Sequence, residues 1–398
     1  MVLYGDNLKS LLVFASKNNK IIKSKQYIQI AKQKQLQSSK NSYYPTVNIG
    51  GFYQRMDDRA PMRPGDVYSG YIGAGIDLYD GGRRANIIKQ NSALLKSAKF
   101  DTSLYNKNLQ LIITRDYFTI LSTKQTLKAL KEKNIQLKAE VSRMNKFFKV
   151  GSVTIESVDK LRAALSNNIY LIDATKYQIY SLKKLLSLRV GRKIGILKNI
   201  DITAPLHTEK SLSDQINILK ENAKSLKFAA KSIGSYYKPQ IRLEDTFSLY
   251  GYGRYDTFHP RGLDNQNNLM LSFNINIFDN SVTLKQKESL LAQKMAIQEQ
   301  INQLKNEQNI NIRLALSKIS TIKAQIKSAK SFLVAAESVY KNIYKKFNAG
   351  SVDNVTYLDA LSVQTNAKAQ YEKALNDLQI AYATYYYYTN NNIEDFIK

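Results

Sequence analysis

The chain has 398 residues with no Cys, two His (His207 and His259) and a formal charge of +27, from 59 Lys and Arg against 32 Asp and Glu. That inventory excludes disulfides, thiolate nucleophiles and Cys-ligated metal, and two distant imidazoles are too few for a His-built catalytic or metal site. No run approaches the roughly 20 apolar residues of a spanning helix, so a membrane passage would have to be made by strands. The lysines spread along nearly every helix and no groove-reading motif accompanies them, so the charge reads as a solvated helical surface and not as a nucleic-acid footprint. The first nine residues, Met1 to Lys9, show neither a charged n-region nor an apolar h-region, and no signal peptide is visible.

Taken in chain order, a first helix is expected over Asn7 to Asn41. Pro45 then stops the helical pattern, because proline lacks the N–H and biases its predecessor toward extended geometry. Two strands follow. Val47, Ile49 and Tyr53 alternate with Thr46, Asn48 and Gln54, and Ile72, Ala74, Ile76 and Leu78 alternate with Gly73, Gly75 and Asp77. Period two is what a sheet with unlike faces demands. Between them lies a polar, Pro- and Gly-bearing loop over Asp57 to Val67. From Arg83 to Val150 there is no Gly or Pro at all, which as continuous helix would reach ~100 Å. Within it Leu127, Leu130, Asn134, Leu137, Val141, Met144 and Phe148 recur at alternating three and four spacing, a coiled-coil seam. The turn Gly151-Ser152-Val153 reverses the chain into a returning helix with its own seam from Val158 to Leu186. Gly191-Arg192-Lys193-Ile194-Gly195 lacks the full phosphate-loop pattern and reads as the loop closing this half.

The same order then repeats. Ser42-Tyr43-Tyr44-Pro45-Thr46-Val47 is echoed by Ser235-Tyr236-Tyr237-Lys238-Pro239-Gln240-Ile241, and Ile76-Asp77-Leu78-Tyr79-Asp80 by Ile275-Asn276-Ile277-Phe278-Asp279. Phe148-Lys149-Val150-Gly151-Ser152-Val153 is echoed by Phe347-Asn348-Ala349-Gly350-Ser351-Val352. Matches in one order at a nearly constant offset indicate a duplicated unit. The first repeat, residues 1–200, holds a helix, a β-hairpin over 45–80, a long helix over 83–150 and a returning helix over 155–190. The second, residues 201–398, holds a helix over 212–235, a β-hairpin over 239–279, a long helix over 280–349 and a returning helix over 355–390. Its strands alternate likewise: Ile241, Leu243, Phe247 and Leu249 on one, and Leu269, Leu271, Phe273, Ile275 and Ile277 on the other. Asp245 is the single misfit on the apolar face.

Strands of about ten residues match the length that crosses a bilayer when tilted. Aromatics gather at one end (Tyr43, Tyr44, Tyr79, Tyr236, Tyr237 and Phe278) and at the other (Tyr53, Tyr68, Tyr250 and Tyr252), in the manner of two interfacial girdles. A soluble sandwich with one buried face would show the same alternation, and the strands alone do not separate the two. Four strands cannot close a barrel, and open edges in lipid would strand unpaired N–H and C=O groups. Several chains must then share one barrel, with eight strands for a dimer and twelve for a trimer. Long helices joined to strand ends would continue its wall away from the membrane.

The tandem helix, hairpin and long-helix copies resemble the TolC-like outer-membrane efflux proteins along nearly the whole chain. The residues that carry the likeness are Tyr43 to Val47, Leu78 to Gly82 (Leu-Tyr-Asp-Gly-Gly), and Phe347 to Ala360. Singly these motifs are weak; their order and duplication are specific. The resemblance implies a mainly α protein with membrane β structure: a trimeric twelve-stranded β-barrel continued by a long α-helical barrel. It implies a passive exit duct across periplasm and outer membrane for substrates brought by an inner-membrane pump or ABC exporter and a periplasmic adaptor protein. The hairpin loops would lie outside the cell, Pro45 and Pro239 at the helix-to-strand junctions, and the girdles against outer-membrane lipid. The turns Gly151, Ser152, Val153 and Gly350, Ser351, Val352 would be the adaptor-contacting tips. Family members narrow the periplasmic mouth with acids just after the second turn. Asp359 stands where one such acid would be, Thr356 occupies the place of another, and Asp353 is the fallback.

The rival is a cytoplasmic basic coiled-coil scaffold that binds nucleic acid or an anionic membrane surface. It accounts for the charge and not for the duplicated amphipathic hairpins. No Ser/His/Asp set, carboxylate pair or nucleotide fingerprint is evident, so no enzyme, cofactor or metal is expected.

Overall fold

The structure, a computed structural model, describes residues 6–57, 64–205, 211–254 and 262–398. His207, His259 and the middles of both hairpin loops lie outside the described residues. The element order is α1 (Leu8–Asn18), α2 (Lys20–Asn41), β1 (Thr46–Arg55), β2 (Asp66–Tyr79), α3 (Arg83–Lys149), α4 (Ile155–Val190), α5 (Asp214–Ile233), β3 (Gln240–Gly253), β4 (Asn265–Asn274), α6 (Val282–Asn348) and α7 (Asn354–Tyr388). Both α3 and α6 run 67 residues without interruption. No helix among the described residues is long and apolar enough to cross a membrane.

The chain forms two compact units: a helical unit of Met1–Gln26, Asp101–Asp214 and Leu304–Lys398, and a sheet unit of Tyr27–Phe100 and Gln215–Gln303. In the sheet unit the two hairpins join through β2 and β3 into one antiparallel sheet of order β1-β2-β3-β4. The register aligns the alternation of all the strands. Ile49 stands opposite Ile72 and Ile72 opposite Phe247, while Ile76, Leu243 and Leu271 form a second row. Because side-chain direction has period two, this puts Val47, Ile49, Ile72, Ala74, Ile76, Leu243, Phe247, Leu269 and Leu271 on one face. That face is bare: Ile49 is 84% exposed, Val47 70% and Leu269 69%. The opposite face carries Asn48, Gly73, Thr246 and Asn268 in one row, and Arg242, which donates to Asp77 (2.8 Å) and to Glu244 (2.5 Å).

Some boundaries differ from the sequence reading. The first helix breaks at Asn19, whose backbone is extended; its side chain accepts from the N–H groups of Ile21 and Ile22 and donates to the Arg189 carbonyl at 2.8 Å. Asn19 thus caps α2 at its N-terminus, the role its short amide suits. The alternation drawn through Ile277 stops at Asn274, leaving Ile275 and Ile277 beyond β4. Conversely, β2 and β3 reach 14 residues each.

The helical unit is built on one main core, where Leu8, Leu11 and Leu12 of α1, Ile113, Tyr117 and Phe118 of α3, Leu186 of α4, Ile319 of α6 and Tyr386 of α7 are buried together. Tyr117 donates to the Lys198 carbonyl at 2.5 Å, and burial pushes its hydroxyl pKa up to about 12. The tyrosine-rich end of α7 is core packing, with Tyr386 stacked on Phe396 at 3.7 Å between centroids. Gly191, at φ +90, ends α4, and Asp6 accepts from Arg192 and from the Gly195 N–H to pin the loop that follows.

Candidate functional site

Within the helical unit the two Gly-Ser turns have the same geometry. Gly151 (φ +76) donates its N–H to the Phe148 carbonyl and Ser152 donates to Phe147. Gly350 (φ +73) donates to Phe347 and Ser351 to Lys346. This is the Schellman ending, in which a left-handed residue satisfies the last carbonyls of a long helix. Gly151, Ser152, Gly350 and Ser351 are exposed, whereas Val153 and Val352 pack against a small core of Leu137, Met144, Val158, Leu161, Phe347, Tyr357 and Leu361.

Asp353 follows the second turn as the N-cap of α7. Its Oδ1 accepts from the Thr356 N–H (2.9 Å) and hydroxyl (2.7 Å), and the Thr356 N–H, foremost, holds its carboxyl below the ordinary value. Two of the three residues assigned to a constriction therefore serve each other as a helix cap. Asp359 sits on the same helix, exposed, and no hydrogen bond or ion pair ties it down among the described residues.

Beside the turns lies a cluster that sequence reasoning passed over. Glu140 is 4% exposed and forms a 2.8 Å ion pair with Arg143. Arg143 also bonds Asn348 and lies over the Phe347 ring at 4.6 Å. Phe347 in turn stacks on the fully buried Tyr357. Burial raises the Glu140 carboxyl, partly opposed by Arg143. The available signal was an acid and a base three apart, one place off the Leu137–Val141–Met144 seam.

In the sheet unit Pro45 directly precedes β1, and Pro239 directly precedes β3. Between β2 and α3, Asp80 accepts from the Gly82 N–H, from the Arg84 N–H and from Arg84 Nε at 3.0 Å. Arg84, itself 4% exposed, donates onward to the Ser42 and Asp77 carbonyls and covers the Tyr43 ring. One guanidinium thereby ties the ends of α2 and β2 to the start of α3. The Leu-Tyr-Asp-Gly-Gly motif was legible as a junction; its partner Arg84 was not assigned a role.

The aromatic ends divide by face. Tyr53 and Tyr68 stand opposite each other on the apolar face, ring centroids 5.0 Å apart. Tyr250 and Tyr252, placed in the same girdle by sequence, lie on the polar face, stacked on each other at 6.3 Å. The reason is parity: their register partners Ser69 and Val67 are one step out of phase with Tyr68. At the other end a register shift between Asp77 and Tyr79 puts Tyr79 opposite Ile241, on the apolar side. Tyr43, Tyr44, Tyr236 and Phe278 are exposed; Tyr237 is half-buried and donates to Asp279.

Among the described residues the chain thus sets a four-stranded antiparallel sheet, with one bare apolar face and two open edges, beside helices of 67 residues in a single chain. The chain is similar in structure to the Campylobacter jejuni CmeC outer-membrane channel (TM-score 0.83, 17% identity, 96% of this chain and 85% of that one). It is similar to the outer-membrane protein VceC of Vibrio cholerae (TM-score 0.82, 12% identity, 97% and 96% covered). It is also similar to CusC, a former of transmembrane channels (TM-score 0.81, 15% identity, 98% and 93% covered). No family model and no curated protein sequence matches it. The fold is the TolC-like one, a long helical framework with a β domain.

Proposed function

We propose that the chain is one subunit of a trimeric outer-membrane export channel, and that it supplies a passive exit duct for substrates delivered by an inner-membrane pump and a periplasmic adaptor protein. The observation that carries this reading is the sheet of the β domain. Its apolar face is uncovered, and β1 and β4 each leave one edge unpaired. In lipid, unpaired backbone groups cost several kcal/mol each, and only closure removes them. Because order β1-β2-β3-β4 alternates strand direction, β4 of one copy meets β1 of the next antiparallel. Three copies would close a twelve-stranded barrel with the apolar face outward and the Arg242 face toward water.

On this reading the exposed turns at Gly151-Ser152 and Gly350-Ser351 are where an adaptor docks. Asp359, one helical turn beyond the Asp353–Thr356 cap, contributes one carboxylate per chain to a cation-sensitive constriction. Reconstitution in planar bilayers tests both levels. The expected result is a detergent-stable trimer with discrete conductance, and a changed cation preference in Asp359→Asn. A soluble monomer without conductance would end the channel reading; unchanged selectivity across several pH values would remove Asp359 alone.

A further inference from the structure

The returning helix α4 carries two stripes. One is the buried seam of Val158, Leu161, Asn168, Ile172, Ile179 and Leu186. The other, on the opposite side, is Tyr170, Asp173, Tyr177, Tyr180 and Lys184, again spaced three and four apart. Tyr170 is 69% exposed and Tyr177 72%, and just beyond them Leu188 is bare as well. Regular exposed tyrosines are rare on a purely solvated helix; large amphipathic rings are what protein interfaces favour.

Helix α6 offers a counterpart. Its buried residues Ile319, Ile322, Ala329 and Ala336 form a single seam, and the flank beside it presents Lys323, Lys327 and Lys330. These lysines are exposed and form no ion pair among the described residues. No acid lies between Glu307 and Glu337 on this helix.

Heights within the helical unit match. Asn168 of α4 bonds Leu130 of α3, and the neighbouring Glu132 pairs with Lys368 of α7. A cleft of roughly 650 Å³ sets Phe332 of α6 beside Gln370 of α7. At the other limit Arg189 of α4 pairs with Asp116 of α3, and Arg115 shares a cleft with Ala315 and Ile322 of α6. The tyrosine stripe and the lysine flank therefore span the same level, and the two helices run in opposite directions.

We propose that the tyrosine stripe of α4 in one copy packs on the lysine flank of α6 in the next, a ring-closing contact in which lysine ammonium groups lie over tyrosine faces. The complementarity lies in the rings: Asp173 is already paired with Lys176 at 2.8 Å and Lys184 lies beside Tyr180, so it is the exposed faces of Tyr170 and Tyr177 that meet the α6 ammonium groups, which form no ion pair among the described residues. Such a contact joins unlike surfaces, so it propagates around a closed ring and does not pair two copies off. Lys184 lies 5.2 Å from the Tyr180 ring within the chain, the same kind of contact on a smaller scale. The proposal rests on the reading of the chain as a subunit of a closed oligomer.

The absence of cysteine makes the test direct. Tyr177→Cys with Lys327→Cys, and separately Tyr180→Cys with Lys323→Cys, are oxidised in the detergent-solubilised protein, and the mass of the unoxidised assembly is measured in parallel. The expected result is a covalent ladder up to three chains from at least one double variant and none from any single variant. A three-chain assembly in which neither pair links, or in which the link forms within one chain, overturns the contact and leaves the channel reading standing. A protein that is monomeric by mass overturns both.

Discussion

Gly81 and Gly82, adjacent at the β2–α3 junction, allow a backbone effect to be separated from a packing effect. Both have positive φ, +68° and +85°. An L side chain in that region costs about 1–2 kcal/mol, so Gly82→Ala should lose about that much. A Cβ at Gly82 meets nothing nearer than the Asn86 side-chain amide nitrogen at 3.9 Å. At Gly81 the same Cβ would lie 2.6 Å from the Lys238 Cβ and 3.0 Å from the Ser235 carbonyl oxygen. Neither neighbour is the free end of a flexible chain, so overpacking adds about 1–3 kcal/mol. Gly81→Ala should therefore be destabilising by about 2–5 kcal/mol in all. Urea unfolding in detergent, followed by far-ultraviolet circular dichroism, reads the difference as a lower midpoint at constant slope. Equal midpoints, or a worse Gly82→Ala, would refute the assignment of the close approach.

The remaining predictions concern charged groups. Arg84→Met should cost about 3–5 kcal/mol by leaving Asp80 buried without its partner, and Arg84→Lys should recover only part, since one ammonium cannot reach two carbonyls and a carboxylate; the same unfolding assay decides. Asp353→Ala should weaken the start of α7 by about 1 kcal/mol while Asp353→Asn stays within a few tenths, because asparagine caps equally well; a large Asp353→Asn effect on stability would mean that charge and not capping matters there. Glu140 gives a pH test. Burial makes the folded state hold its proton more tightly than the unfolded chain, so its contribution is fully present below the ordinary value of 4.5 and lost as pH rises through the raised value. Hydrogen exchange near Leu137–Phe148 should accelerate across that window, beyond the intrinsic pH dependence, and Glu140→Gln should abolish the excess.

Much of this fold was readable because it is written in periods. Strand alternation and heptad seams are local patterns, and duplication supplied a second copy of each against which to check the first. The parts that escaped depend on contacts across the chain. The break at Asn19 is fixed by the Arg189 carbonyl, 170 positions away, and no pattern near Asn19 reports it. Tyr250 and Tyr252 show the same limit: clustering at a strand end is visible in sequence, but the face they occupy depends on register with a neighbouring strand. Asp353 and Thr356 were read for charge and position, whereas their spacing is that of a cap and its third residue. Asp245, by contrast, was recognised as out of place, and the sheet leaves it so, exposed between Ala74 and Leu269.

The two open edges of the β sheet have a consequence for how a cell could make this protein. On the proposed channel reading, a chain that cannot satisfy its own strands in lipid has no solitary native state there; membrane folding and partner-finding become one reaction, steeply dependent on how many chains are present. Synthesis rate then acts as a threshold, since sparse chains remain exposed to proteases. In the proposed trimer, a variant competent to join but unable to close the ring would poison its wild-type neighbours, so defects in β1 or β4 should behave as dominant.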